Sequence, residues 1–239
     1  MMDLVLAVPD HTSLSRRAGK WTTERGNKAN AKIGASRHSL HLVVDSIGLQ
    51  IYGAGQWIEE KHGAKTRRQW RKLHLAIDAD NGEIMADELT GQDVGDAGAV
   101  EHLLENIDGT IDQFTADGVY DRTPVYEAVL DHSPNARIVI PPRVDAIERD
   151  DAPGQGNEHL ALIDERGRIG WQRETGYGKR SLVETAIGRY KALIGACLRA
   201  RSFASQQTEA AIGCTVLNRM LGCGRPESFQ ISQRKATAA

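Results

Sequence analysis

Three acidic residues stand where regular elements are predicted to begin or end. Asp45 follows the β-branched apolar run 41–44, and Asp117 follows a second apolar run, 114–116. Glu184 falls in the first turn of a predicted helix. Carboxylates from separate elements can hold two divalent ions about 3.5–4 Å apart, as phosphoryl transfer on DNA requires. We therefore expect these three side chains to approach one another as metal ligands.

The Glu184 helix carries further polar residues at helical spacing. Tyr177, Arg180, Glu184 and Lys191 follow one another at intervals of three, four and seven, which places them on one stripe about two turns long. Such a stripe is poor core material, but it suits a metal ligand flanked by phosphate contacts. The alternatives stay open at this point: a strand-end aspartate is often a turn residue, an early helical glutamate complements the dipole, and the stripe could be a solvated face.

Apolar patterning predicts the elements that must position these residues, in the order β-β-β-α-β-α-β with further helices. The predicted strands cover 41–45, which an extended or hairpin segment continues over 46–52, and then 70–78, 84–89, 111–116 and 136–140. The predicted helices cover 96–107, 123–130, 181–198 and 208–221. Asp96 and Ser181 are candidate N-caps. Residues 143–176 interrupt the pattern as a polar insertion with a possible short strand at 169–172.

Composition limits the function classes. The 239 residues are 40% hydrophobic and 26% charged, which is typical of one globular domain. The apolar runs are too short to span a bilayer and the start lacks a signal peptide's charged region, so we expect a cytoplasmic protein. Three cysteines without a C-x-x-C spacing favour neither a disulfide framework nor a zinc ribbon.

The formal net charge of −2 hides a segregation of charge along the chain. Residues 16–80 hold 13 basic and 6 acidic residues, 81–170 hold 6 and 20, and 171–239 hold 11 and 4. Two basic blocks around an acidic middle fit a protein that binds phosphate backbone with one surface. Uneven surface charge without a partner is the plainer explanation.

Several blocks resemble the bacterial insertion-sequence transposases of the DDE type, in particular the insertion-sequence-five and -four groups. Their Y-R-E-K signature is matched by Tyr177, Arg180, Glu184 and Lys191. Segments 41–49 and 116–121 resemble the blocks that carry that family's first and second catalytic aspartates. Segments 70–75 and 140–143 are also similar, so the resemblance covers roughly residues 8 to 230.

The resemblance implies a ribonuclease-H-like α/β fold, a mixed sheet flanked by helices with the insertion before the last catalytic helix. It implies two Mg²⁺ or Mn²⁺ ions on Asp45, Asp117 and Glu184. The residues implied to contact transposon-end DNA are Tyr177, Arg180 and Lys191. The implied partners are transposon ends, target DNA and a second copy in a synaptic homodimer, in the bacterial cytoplasm at the nucleoid.

On this interpretation residues 1–40 form a basic N-terminal arm or remnant, 41–221 the catalytic domain and 222–239 a tail. Family members carry an N-terminal helical region that recognises the terminal repeats, whereas 44 residues precede Asp45 here. We therefore expect an N-terminally truncated copy.

Two other functions use the same residues. A related ribonuclease-H-like nuclease or resolvase would cut DNA without rejoining it, although the Tyr-Arg-Glu-Lys stripe argues against this. A non-catalytic DNA-binding remnant fits the short N-terminus but not the complete set of three carboxylates. A carbohydrate hydrolase is disfavoured because aromatic residues make up only 5% of the chain and sugar sites need aromatic platforms.

Overall fold

A computed structural model describes residues 39–52, 69–143, 146 and 154–224. Its strands are β1 (Leu40–Ile51), β2 (Trp70–Asp78), β3 (Ile84–Gly91), β4 (Ile111–Thr115), β5 (Arg137–Val139) and β6 (Cys197–Leu198). Its helices are α1 (Val100–Glu105), α2 (Thr123–His132), α3 (Gly154–Thr175), α4 (Ser181–Arg189) and α5 (Phe203–Cys223). Most of the predicted arm, part of the predicted insertion and most of the predicted tail lie outside the described residues.

The strands form one mixed sheet in the order β3-β2-β1-β4-β5, and β6 pairs with the end of β1. β1, β2 and β3 are antiparallel neighbours, whereas β4 and β6 run parallel to β1 and β5 runs parallel to β4. The parallel pairs are reached through helical crossovers, as the β-α-β order requires. This topology confirms the predicted ribonuclease-H-like mixed sheet flanked by helices.

Successive β1 side chains point to opposite faces of the sheet, so apolar residues lie on both faces and helices cover both. Leu42 and Val44 pack into a core that includes residues of α1 and α2. Val43, Ile47 and Leu49 pack into a second core that includes residues of α4 and α5. Position 45 falls between Val43 and Ile47 in this alternation, so β1 directs it toward the α4 face.

The prediction of a short strand at 169–172 is wrong. These residues belong to α3, which spans 22 residues with a break at Gly167, where φ is +69°. The break divides the helix, and Trp171 after it is buried with 1% of its surface exposed. The alternation of Ile169 and Trp171 with Gly170 and Gln172 resembles a strand, but Trp171 is buried whereas Ile169 is 67% exposed, so the two apolar side chains do not share a buried face.

The prediction of one helix over 181–198 is also wrong at its end. α4 ends at Arg189 and a π-helical turn, Tyr190–Ile194, follows it. Gly195 then adopts a φ of +126°, which ends the helix and returns the chain to the sheet, where Leu198 pairs with Ile51. Within the described ranges, no helix is both long enough and apolar enough to cross a membrane.

Candidate active site

The guanidinium of Arg180 contacts three carboxylates that lie far apart in the chain. Its Nη2 donates to Asp45 Oδ2 at 3.0 Å and lies 3.6 Å from Asp117 Oδ2. Its Nη1 donates to Glu184 Oε1 at 2.6 Å. The three acids chosen from the sequence thus converge on one cation.

Asp45 reaches this position from the middle of a strand, whereas the sequence predicted that it stands at a strand end. It is the sixth residue of the 12-residue β1, which continues because β2 pairs with it from Leu42 to Gln50. On the other side of β1, β4 pairs only as far as Val43, opposite Thr115. Asp45 therefore lies at the point where β1 runs past the end of its parallel neighbour.

Asp117 lies just beyond that end of β4. Its Oδ1 accepts a hydrogen bond from the Val119 backbone N–H at 2.9 Å, so it caps the 3₁₀ turn Gly118–Tyr120. Asp45 uses its Oδ1 in a similar way, accepting from the Ser46 N–H at 2.8 Å. In both residues the local backbone holds one carboxylate oxygen and leaves Oδ2 directed at Arg180.

Arg180 lies at the junction just before α4, and Glu184 lies within α4. Arg180 ends the 3₁₀ turn Tyr177–Arg180, and α4 begins at the next residue, so the two side chains are four residues apart on adjacent turns. Glu184 is more exposed than its partners: its side chain is 57% exposed, against 16% for Asp45 and 31% for Asp117. Glu184 therefore has the most freedom to move.

Burial raises the pKa of Asp45, and the negative charges of Asp117 and Glu184 raise it further, against the opposing effects of the Ser46 N–H and Arg180. Burial alone would lower the pKa of Arg180, but the carboxylate of Asp45 and its neighbours outweigh that effect and raise it. One guanidinium therefore does not balance the negative charge of this cluster.

The cluster has the donor chemistry that a divalent cation needs. Mg²⁺ and Mn²⁺ favour hard oxygen ligands, and Asp45 and Asp117 each present an oxygen that no backbone N–H occupies. Within the part of the chain that the structure describes, however, no three acidic, histidine or cysteine side chains are grouped closely enough to hold one ion.

Comparison with known families decides the relationship of the chain. A family model described as the transposase DDE domain matches residues 36–219, which include all three carboxylates and every described strand. The chain belongs to the DDE transposase domain family.

One solved transposase structure is similar to this DDE domain. A cryo-EM structure of the piggyBac transposase synaptic complex with hairpin DNA is 10% identical with a TM-score of 0.45. The match covers 77% of the present chain and 46% of the piggyBac chain, so the DDE domain spans less than half the length of that relative.

Tyr177 of the DDE domain is held by a chain of contacts that leads back to the sheet. Its ring packs against Trp171 at a centroid distance of 5.0 Å. Trp171 Nε1 donates to His159 Nδ1 at 3.1 Å, and His159 Nε2 donates to the Ile138 carbonyl at 2.6 Å. The helix α3, which the sequence suggested was an insertion, thus links β5 to the turn that carries Arg180. Single residues such as His159 gave no sequence signal for this role.

The predicted single stripe is not one straight α-helix in the DDE domain. Tyr177 and Arg180 belong to the 3₁₀ turn, whereas Lys191 belongs to the π-helical turn after α4. Arg180 and Glu184 do meet at the predicted spacing of four. Lys191 is exposed and makes no ion pair with the described residues.

Asp96 was predicted to cap a helix, and the structure gives it a different role. Its Oδ1 accepts a hydrogen bond from Ser46 Oγ at 2.9 Å and lies 3.3 Å from Lys72 Nζ. No side-chain cap bond is found at the start of the 3₁₀ turn Asp96–Ala99. Asp96 fixes the residue next to Asp45 from the opposite face of the sheet. Sequence reasoning missed this support because Lys72 and Ser46 are far from Asp96 in the chain.

Proposed function

We propose that this chain is a DNA transposase of an insertion sequence, with Asp45, Asp117 and Glu184 as ligands of two divalent ions, Mg²⁺ or Mn²⁺. The observation that carries the proposal is the convergence of these three carboxylates on the Arg180 guanidinium. Membership of the DDE transposase domain family supports it, since such domains generally use divalent ions.

Bound divalent ions would activate the attacking hydroxyl or water and stabilise the leaving oxygen of the phosphodiester. Asp45 and Asp117 are suited to hold them because their backbone hydrogen bonds fix the direction of the free oxygens. Glu184, the most exposed of the three, would complete the ligand set by moving with the start of α4.

We propose that Arg180 exchanges partners during binding. While it contacts the carboxylates, Arg180 offsets part of their negative charge. Once released from them, its planar guanidinium is free to donate to a phosphate of the transposon end. Tyr177, packed on Trp171, and the exposed Lys191 are proposed as the neighbouring DNA contacts. Two copies of the chain acting on paired ends would form the synaptic homodimer.

The test compares Glu184→Gln with Glu174→Gln, an exposed glutamate in α3 that pairs with Arg166. Substrates are duplexes that carry the terminal repeats of the element, incubated with Mg²⁺, Mn²⁺ or EDTA. We expect wild type and E174Q to cleave only with a metal and E184Q to be inactive yet folded. Gel analysis then scores cleavage and joining separately.

The outcomes separate the alternatives. Cleavage without any strand joining would favour a ribonuclease-H-like nuclease. Binding without cleavage in either metal would favour a non-catalytic remnant. Wild-type cleavage by E184Q would remove Glu184 from the ligand set.

A further inference from the structure

A basic cleft lies at the end of β1, beyond the pairing of β1 with β6 and away from Arg180. Its volume is about 890 Å³. Its lining includes Arg71, Arg199 and Arg201, together with Tyr52 and Gln206, and among the described residues no acidic side chain contributes to it. The proposed catalytic residues do not use this concentration of positive charge.

Arg71 is fixed in place before any ligand arrives. Its Nε donates to Gln206 Oε1 at 3.0 Å, and its guanidinium lies 5.1 Å from the centre of the Phe203 ring. Gln206 is itself buried, with 1% exposed, and its Nε2 donates to the Ala200 carbonyl at 3.0 Å. A side chain that is already immobilised loses less entropy when it binds an anion.

The loop that carries the other two arginines is also held by α5. Both oxygens of Glu209 accept from the Arg199 backbone N–H at 2.9 Å, and Oε2 also accepts from the Ala200 N–H at 2.8 Å. Glu209 is thus engaged by the backbone. Among the described residues, the side chains of Arg199 and Arg201 form no ion pair with an acid, and both are exposed.

We infer that this cleft binds the phosphate backbone of duplex DNA at a distance from the cleaved bond. The inference rests on the proposed function, since it adds a second contact to the same DNA. β1 runs without interruption from Asp45 to Ile51, and six residues at roughly 3.3 Å each span about 20 Å. That length matches about six base pairs of duplex at 3.4 Å per step.

Duplex DNA is favoured over a small anion because three arginine side chains line one cleft of about 890 Å³. The nearby Tyr52 and Phe203 side chains are 64% and 41% exposed. Phosphates spaced along a strand can meet several such groups at once, and guanidinium donors match phosphate oxygens in pairs.

The experiment measures binding of a labelled duplex to the full chain in EDTA by fluorescence anisotropy over a series of KCl concentrations. Arg201→Ala is compared with Arg219→Ala, which removes an equal charge from an exposed position near the other end of α5. Each lost phosphate contact reduces the magnitude of the negative slope of log K against log salt by about 0.9. We expect a decrease of about 0.9 for R201A, about 1.8 for R199A/R201A and none for R219A.

Equal slopes for R201A and R219A would overturn the inference, as would tighter binding of a single strand than of the duplex. A metal-dependent cleavage assay on the same proteins keeps the two proposals apart. Cleavage with unchanged slopes retains the transposase and rejects the cleft. The expected slopes without wild-type cleavage retain the cleft and reject the transposase. Absence of any duplex binding rejects both.

Discussion

Arg180 Nη2 lies 3.0 Å from Asp45 Oδ2, so the chain supplies its own cation at the place where we propose that divalent ions bind. The arrangement keeps three carboxylates together in the absence of metal. The proposal implies that divalent ions and Arg180 would compete for the same oxygens, and this competition can be measured.

Arg180→Ala is expected to destabilise the metal-free chain by about 1–2 kcal/mol, between the values typical of exposed and buried ion pairs. Removing the guanidinium leaves the carboxylates to repel one another, so Mg²⁺ should restore more stability to R180A than to wild type. Thermal unfolding with increasing MgCl₂ measures this. An equal Mg²⁺-induced rise in Tm for both proteins would contradict the competition.

Lys191→Ala is expected to weaken DNA binding without changing the free energy of unfolding, because the side chain is exposed in the π-helical turn. The salt slope should fall by about 0.9 if Lys191 contacts one phosphate. Arg219→Ala serves as the charge-matched control. A slope that both substitutions lower equally would indicate a general effect of net charge.

Gly213→Ala is expected to destabilise the fold by about 1–3 kcal/mol, as overpacking does. A Cβ at this position would lie 2.9 Å from Tyr190 Cε2 and 3.0 Å from Ile194 Cγ2, where α5 crosses the π-helical turn. Gly222→Ala in the same helix meets no atom within 4 Å. Its stability should be unchanged or higher by up to about 1 kcal/mol, since alanine favours a helix more than glycine does. Urea unfolding of both variants checks the contrast.

Acidification is expected to destabilise the chain through His159. Burial lowers the pKa of His159, and both ring nitrogens are engaged in the neutral form. A lowered folded-state pKa gives stability that is present above the unfolded value of about 6.5 and lost as the pH falls below it. His159→Leu should flatten the decrease in unfolding free energy between about pH 7.5 and about pH 5.

The control for this profile is His102→Gln, because the His102 side chain is 62% exposed. A flattening seen equally in H102Q and H159L would indicate a general effect of removing a histidine and not a role of His159. His74, whose pKa burial lowers to about 4, titrates in the same direction and should leave part of the slope in H159L. A wild-type slope in H159L would contradict the role given to His159.

The sequence predicted the elements that are built from local patterns. Alternating apolar residues located β1 to β3, and the spacing of four between Arg180 and Glu184 predicted a contact that the structure contains. The predicted end of β1 at Asp45 failed because strand length depends on β2, a partner that the local pattern does not contain. The two-residue β6 and the hydrogen bond from Ser46 to Asp96 were also not predicted, because each depends on a partner that is distant in the chain.

Because β1 is paired continuously with β2 from Leu42 to Gln50, its length sets the distance between the carboxylate cluster and the basic cleft. Inserting one residue directly after Asp45 would turn every later side chain of β1 to the opposite face, moving Ile47 and Leu49 out of the α4–α5 core. Two inserted residues would keep each later side chain on its original face and lengthen the distance between the cluster and the cleft by about 7 Å, or roughly two base pairs. The distance between the two sites can therefore be changed by inserting residues in pairs, and each pair corresponds to about two base pairs of duplex DNA.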